Sequence, residues 1–143
     1  MADKSVAHVY PARVYYEDTD AGGVVYHSNY LRFAERARTE LLRSCGIDHA
    51  TLLVSEGLAF AVRRCEVEYL KPARLDDLLE IRTRCLKAAG ASFWLEQVVQ
   101  RMDETLVNIK LRLVCIKADG RPGRLPLILR LALGQVSGRI TKH

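Results

Sequence analysis

The residues with the clearest potential for chemistry lie close together between Asp18 and Asn29. This stretch contains two aspartates, Asp18 and Asp20, followed by a Gly-Gly pair and by His27. Glycines let a backbone turn sharply or approach a ligand, and a helix that begins here offers unpaired N–H groups at its positive end. Such N–H groups can bind a developing oxyanion, while a nearby carboxylate activates water or attacks a carbonyl itself. The segment therefore predicts cleavage of an activated acyl group.

A thioester suits this sparse set of groups. Its leaving thiol has a pKa of about 8.5, like a cysteine thiol, and can depart as a thiolate without a strong general acid. Within the loop, Asp18 is interpreted as a turn residue, and Asp20 has two interpretations, a turn residue or a catalytic carboxylate. A dyad of His27 with Ser28 is not favoured, because adjacent helical residues do not face each other.

Hydrophobic periodicity predicts the elements on either side of the loop. A strand rich in Val and Tyr over Val9–Glu17 precedes it, and a long helix over Ser28–Cys45 follows it. A shorter helix is expected between Asp48 as its N-cap and Gly57 as its end. A last apolar stretch, Pro126–Leu133, predicts a short helix with proline in its first turn.

Between Gly57 and Asp119 the period of the pattern is two, which predicts four strands joined mostly by tight turns. A change of phase indicates a bulge near Arg63 and Arg64. Short turns make these strands antiparallel neighbours, and the long helix must bury its apolar stripe against them. The predicted class is α+β, with an antiparallel five-stranded sheet wrapped around one long central helix. Unpaired sheet edges favour a homodimer or a homotetramer.

Length and composition fit one ordinary domain. The chain has 143 residues, 49% of them hydrophobic and 27% charged, without repeats or linkers. We therefore predict a single domain over residues 1–143, of which about 119–143 form a C-terminal tail. No stretch approaches the roughly 20 apolar residues of a membrane span, and the N-terminus lacks an apolar signal-peptide run. A cytoplasmic location is expected.

The net charge and the cysteines limit which ligands and partners the sequence predicts. The formal net charge of +5 favours an anionic partner, but no basic stripe interleaved with aromatic residues supports nucleic-acid binding. The cysteines lack C-x-x-C pairs or histidines at metal spacing, so neither a metal site nor a disulfide is expected. They are interpreted as small apolar residues of the core: Cys45, Cys65, Cys85 and Cys115.

The stretch from Arg13 to Glu40, which includes the run EDTDAGGVVYHSNY, closely resembles the active-site region of the 4-hydroxybenzoyl-CoA thioesterase family of hot-dog proteins. Within that family it is most similar to the acyl-CoA thioesterases associated with the Tol–Pal envelope system of Gram-negative bacteria. A second matching block extends from Val67 to Asp77, and the resemblance covers about Val9–Ile116. The hot-dog fold is the sheet-around-helix arrangement that the periodicity predicts.

The resemblance implies an acyl-CoA thioesterase that needs no cofactor. Asp20 matches the catalytic carboxylate of the family, which acts as a general base or as a nucleophile. His27 matches the position whose backbone N–H polarises the thioester carbonyl. Asn29 and Tyr30 match the Asn-Tyr pair that begins the helix, where capping and packing roles are expected. Further candidate contacts to the substrate are Tyr26, Asn29 and Tyr30.

Four basic residues are candidates for binding the phosphates of coenzyme A, since arginine forks suit phosphate groups. They surround one strand and the turn after it: Arg63, Arg64, Lys71 and Arg74. The alternative is a solvated strand face paired with Glu66 and Glu68. Two other functions stay open, an enoyl-thioester hydratase and a non-catalytic module that binds acyl carrier protein. Acyl-CoA is the expected substrate, and acyl carrier protein is a further candidate partner.

Overall fold

The structure, a computed structural model, describes residues 7–137 of the 143-residue chain. The ends of the predicted domain, residues 1–6 and 138–143, lie outside the described residues. Five strands, three α-helices and one short 3₁₀ turn follow one another: β1 (His8–Arg13), the 3₁₀ turn (Tyr16–Asp18), α1 (Asn29–Ser44), α2 (His49–Glu56), β2 (Leu58–Tyr69), β3 (Leu78–Ala89), β4 (Ser92–Arg101), β5 (Glu104–Lys117) and α3 (Leu127–Gln135).

The five strands form one antiparallel sheet in the order β1-β3-β4-β5-β2. Strands β3, β4 and β5 are consecutive hairpin neighbours, whereas β2 crosses to the far side of β5. The register of β2 against β5 shifts between Val62 and Arg64, so the predicted bulge is present. The predicted sheet around one long helix is confirmed, and β1 and β2 form its two edges.

Helix α1 packs against the concave face of the sheet through the stripe that its periodicity predicts. Its buried side chains include Tyr30, Phe33, Ala34, Ala37 and Leu41. The helix covers 16 residues, and the chain leaves it through Gly46, whose φ of 81° favours glycine. Because the helix begins at Asn29, its first turn directly follows the loop that contains Asp20 and His27.

The two shorter helices also occur where they are predicted. The carboxylate of Asp48 accepts a hydrogen bond of 2.8 Å from the Thr51 N–H, the usual N-cap contact, and α2 ends at Gly57. In α3, Pro126 is the N-cap residue rather than a residue of the first turn. Among residues 7–137, no helix is long and apolar enough to cross a membrane.

The first strand is shorter than the sequence predicts. It ends at Arg13 instead of continuing to Glu17, and the chain then forms the 3₁₀ turn. The cause is Asp18, whose carboxylate accepts a hydrogen bond of 2.8 Å from the backbone N–H of Tyr15. A side chain that captures a nearby backbone donor competes with strand pairing, and period-two reasoning does not detect such a contact.

The cysteines divide into two pairs. Cys85 and Cys115 are buried as predicted, and burial raises the pKa of the Cys115 thiol to about 11. Cys45 is only partly buried and Cys65 is exposed, so the core interpretation is wrong for Cys65. The reason is its position on the edge strand β2, where none of the residues from Ala59 to Tyr69 is buried.

Strand β2 is the open edge of the sheet. None of its residues from Ala59 to Tyr69 is buried, although several are apolar. The other edge, β1, has only six residues and carries Pro11, which lacks the N–H needed to extend a sheet. A long unpaired edge with exposed apolar side chains is a surface that natural proteins usually pair or cover.

Candidate active site

The loop before α1 is a tight hairpin with Asp20 at its tip. The Asp20 N–H donates to the Val24 carbonyl at 2.8 Å, and the Gly23 N–H donates to the Asp20 carbonyl at 3.1 Å. One residue further out, Thr19 and Val25 form an antiparallel bridge. Gly23 has a φ of 80°, which explains why the turn contains glycine. Asp20 therefore occupies a well-defined turn position.

The carboxylate of Asp20 is anchored through one of its two oxygens. Its Oδ1 accepts a hydrogen bond of 2.8 Å from the Gly22 N–H, and a Cβ on Gly22 would lie 3.3 Å from that oxygen. Within residues 7–137, Oδ2 has no hydrogen-bond partner, and the residue is exposed to solvent. Asp20 thus satisfies the turn interpretation and still has a free oxygen for chemistry.

His27 immediately precedes the N-cap of α1. No residue in the described range accepts a hydrogen bond from its backbone N–H. Its carbonyl accepts a hydrogen bond of 3.1 Å from the Tyr69 hydroxyl, and its ring lies 4.7 Å from the Tyr26 ring and 6.4 Å from the Tyr69 ring. The residue therefore presents a fixed, unpaired backbone donor at the positive end of the helix.

Asn29 and Tyr30 point inward rather than toward solvent. The Asn29 side-chain amide donates to Asp18 Oδ1 at 2.6 Å, and the Tyr30 hydroxyl accepts from the Ala73 N–H at 2.9 Å. Burial raises the pKa of Tyr30. The Tyr30 contact agrees with a packing role, whereas Asn29 is the first residue of α1 and donates to Asp18 rather than capping a helix N–H. The exposed Tyr26 is the one candidate tyrosine that faces solvent beside His27.

The four candidate phosphate-binding residues do not converge on one point. Arg64 pairs with Glu66 at 2.9 Å, and Lys71 pairs with Glu104 at 2.6 Å. Hydrogen bonds from Lys71 and from Arg101 lower the pKa of Glu104. The Arg64 contact is the one that the alternative of a solvated strand face describes, whereas Lys71 pairs with a carboxylate that this alternative did not include.

Arg63 and Arg74 have no carboxylate within ion-pair distance in the described part of the chain. Arg63 lies at the β2 bulge. Arg74 forms an antiparallel bridge with Val24 of the Asp20 hairpin, and its side chain is exposed. Arg74 is therefore the candidate cation whose backbone is fixed directly beside the loop.

One feature that sequence reasoning missed is an apolar groove of about 150 Å³ between the second half of α1 and the concave face of β2, β4 and β5. Arg38 lies in it and donates a hydrogen bond of 3.0 Å to Gln97, which is fully buried. Burial lowers the pKa of Arg38. No residue of the Asp20 hairpin lines this groove, which is bounded by Glu35, Arg38, Thr39, Leu41, Leu42, His49, Phe60, Val62, Phe93, Leu95, Leu113 and Leu133.

A metal ion has no evident site in the part of the chain that the structure describes. There, no group of three or more His, Cys, Asp or Glu side chains lies close enough together to hold one. The arrangement offers a carboxylate, a backbone N–H donor and a helix N-terminus, which together suit addition of water or a carboxylate to a polarised carbonyl.

An antiparallel sheet around one central helix defines a hot-dog protein. The family model described as the thioesterase superfamily matches residues 22–108. The chain belongs to the thioesterase superfamily, and it is a thioester hydrolase. The matched stretch includes His27 and begins just after Asp20.

Curated relatives and solved structures agree with this assignment. The chain is 49% identical over 108 residues to the acyl-CoA thioester hydrolase YbgC of Escherichia coli, a match that covers 75% of this chain and 80% of that protein. It is 46% identical over 107 residues to the acyl-CoA thioesterase YbgC of Haemophilus influenzae, which covers 75% and 79%. The crystal structure of a probable thioesterase from Bartonella henselae superposes with a TM-score of 0.81 at 43% identity, covering 84% of this chain and 99% of that chain. The predicted family, fold and enzyme class are confirmed.

Proposed function

We propose that this protein hydrolyses acyl-CoA to a free acid and coenzyme A, with Asp20 and the His27 N–H as the groups that act on the thioester. The observation that carries the proposal is the free Oδ2 of Asp20 on a hairpin that leads directly into the unpaired N–H of His27. The 49% identity to a protein named as an acyl-CoA thioester hydrolase supports the substrate class.

In the proposed reaction, the thioester carbonyl oxygen accepts a hydrogen bond from the His27 N–H. The positive end of α1 and this donor stabilise the negative charge that develops on that oxygen. As a base, Asp20 takes a proton from water while the water oxygen adds to the carbonyl carbon. The tetrahedral intermediate then expels the CoA thiolate, which recovers the proton. As a nucleophile, Asp20 would instead add to the carbonyl carbon and expel the CoA thiolate to form an anhydride; water then cleaves the anhydride, and the thiolate takes the proton that this water releases. Neither route needs a cofactor.

For the nucleotide end of the substrate we propose Arg74, because its backbone lies beside the hairpin and its guanidinium has no carboxylate partner among residues 7–137. Coenzyme A carries phosphates that an exposed arginine can bind. Arg64 lacks this freedom, since Glu66 already neutralises it at 2.9 Å.

Replacing Arg74 with alanine should raise the KM for an acyl-CoA by about two- to fivefold, as expected for one exposed charge pair. The KM for the matching acyl-pantetheine, which lacks the nucleotide phosphates, should not change. Arg64→Ala is the matched control and should leave both KM values unaltered. An equal rise of the KM for both substrates in Arg74→Ala would show that Arg74 does not act through the phosphates.

We further propose that the working unit is a homodimer paired through β2, or a homotetramer made of two such dimers. Support comes from the open edge of β2 and from the direction of the strand. Phe60 and Val62, near its start, line the apolar groove, whereas Tyr69, at its end, contacts His27. Antiparallel pairing of two β2 strands would place the groove of one subunit beside the hairpin of the other. That groove would then hold the acyl group.

A panel of acyl-CoA and acyl carrier protein thioesters, assayed with a thiol-trapping dye, tests the function. We expect thiol release and free acid from at least one acyl-CoA. Loss of absorbance from a conjugated double bond without thiol release would instead indicate the hydratase. Tight, salt-sensitive binding of acyl carrier protein without turnover would indicate the binding module. The cytoplasmic location stays a prediction from the sequence.

A further inference from the structure

The hairpin that carries Asp20 is attached to the protein by two legs that are held differently. Its second leg continues directly into α1, and the Val25 N–H of this leg also donates to the Ala73 carbonyl at 2.8 Å. Its first leg runs from Asp18, the last residue of the 3₁₀ turn, to Asp20. Apart from the cross-hairpin bonds, Asp18 and Thr19 of this leg bond to the neighbouring residues Tyr15 and Tyr16, and the Asp18 side chain supplies its hydrogen bond to the helix.

The Asp18 carboxylate is buried, and both of its oxygens are used. Oδ1 accepts from the Asn29 side-chain amide at 2.6 Å, and Oδ2 accepts from the Tyr15 N–H at 2.8 Å. Asn29 is the first residue of α1 and is itself buried. The contact therefore joins the first leg of the hairpin to the start of the helix, across eleven residues of sequence.

We infer that Asp18 and Asn29 are positioning residues, which together hold the Asp20 carboxylate in register with the His27 N–H. This inference rests on the proposed function of Asp20 and His27. We call the hydrogen bond between the Asp18 and Asn29 side chains the clamp. The backbone carbonyl of Asp18 also accepts a hydrogen bond of 2.9 Å from the N–H of Tyr26, the residue just before His27. Both legs are therefore tied to the end of α1 that carries His27, and the buried Asp18–Asn29 bond lies two residues from Asp20.

This arrangement explains why the loop contains two aspartates with different surroundings. Asp18 is buried, with both oxygens satisfied by the protein, and has no oxygen left for a substrate. Asp20, two residues on, is exposed and keeps Oδ2 free. A buried carboxylate that makes hydrogen bonds to two separate segments fixes their geometry more firmly than a solvated contact does.

Exchange of the two side chains separates positioning from simple helix capping. In Asn29→Asp, two carboxylates would face each other at a hydrogen-bond distance, and the clamp should open. An acidic residue at the first turn of a helix is favourable in itself, so a capping role alone predicts no harm. In the double variant Asp18→Asn with Asn29→Asp, the new amide can donate to the new carboxylate, and the clamp should close again.

We expect Asn29→Asp to lower kcat by about 10- to 100-fold with little change in KM, the effect of a misplaced reacting group. The double variant should recover to within about threefold of the wild-type kcat. Hydrogen exchange at the Asp20 and Gly23 amides supplies a readout that does not depend on activity: exchange should speed up in Asn29→Asp and return to the wild-type rate in the double variant.

Two outcomes would overturn the inference. One is an Asn29→Asp variant with wild-type kcat and unchanged exchange, and the other is a double variant no better than Asn29→Asp. A third outcome is that hydrogen exchange follows the expected pattern but neither the wild type nor any variant releases thiol from an acyl-CoA. In that case the positioning role of Asp18 and Asn29 stands and the proposed function fails. Failure of the two proposals can therefore be told apart.

Discussion

Replacement of Asp20 with asparagine should lower kcat for the best acyl-CoA substrate by about 10²- to 10⁴-fold, the usual contribution of a general base or an activated carboxylate. The amide keeps the shape of the side chain and an oxygen that can accept from the Gly22 N–H, so the hairpin should be preserved. What it loses is the second carboxylate oxygen, which has no partner among residues 7–137 and is the atom assigned to the chemistry. Thiol release under saturating substrate gives kcat directly.

Asp119 provides a matched control for Asp20. It is also exposed, and its Oδ1 accepts a hydrogen bond from a backbone N–H two residues later, that of Arg121, at 2.9 Å. Asp119→Asn therefore makes the same chemical change in the same kind of turn, far along the chain from the hairpin. We expect wild-type kcat from this variant. Equal activity of both variants would leave Asp20 as a turn residue and would refute the assigned mechanism.

A single turnover in oxygen-labelled water tests the nucleophilic role of Asp20. If Asp20 is the nucleophile and water cleaves the anhydride at the protein side, label enters its carboxylate. If Asp20 is the base, or if water cleaves the anhydride at the acyl carbon, label enters the released acid and leaves the protein unlabelled. Label found in the hairpin peptide by mass analysis after one turnover therefore establishes the nucleophile.

Local patterns predicted most of the fold because the elements carry strong local signals. The stripe of α1, the Asp48 cap and the alternation along β5 each involve residues that are neighbours in sequence. The sequence pattern did not predict the shortening of β1, because a single hydrogen bond, from the Tyr15 N–H to Asp18, redirects the chain. The exposure of Cys65 escaped for a different reason: alternation shows which face a residue occupies, but not whether anything covers that face.

The candidate site divides in the same way. Asp20 and His27 stand in one continuous motif, so the sequence could nominate them together. The Asp18–Asn29 contact lies within that motif too, but an aspartate in a turn and an asparagine at a helix start are common, and only the folded hairpin brings them to 2.6 Å. Whether a basic side chain is free to bind phosphate depends on long-range ion pairs. Lys71 donates to Glu104, which lies 33 residues later, and no local sequence pattern connects the two.

The apolar groove is the part of the molecule that the sequence could least predict. Filling it is expected to have a large effect on turnover. Its walls come from three helices and three strands, and Phe60 and Val62 of the wall belong to the edge strand β2. Thr39 lines it from α1, so Thr39→Trp should fill a space of about 150 Å³ and abolish turnover of substrates with long acyl groups. Ala50→Trp adds the same ring at an exposed position of α2 and should leave activity intact.

Mixing two inactive variants then shows which subunit supplies the groove. If β2 pairing places the groove of one chain beside the hairpin of the other, a dimer of Asp20→Asn with Thr39→Trp has one site with both defects and one site with neither. Random exchange of subunits should therefore restore about a quarter of the wild-type activity, since half of the dimers are mixed. A site contained within one chain would show no recovery, because each chain carries one defect. Light scattering on the same samples must give the mass of a dimer or a tetramer, and an active wild-type monomer would contradict the shared site outright.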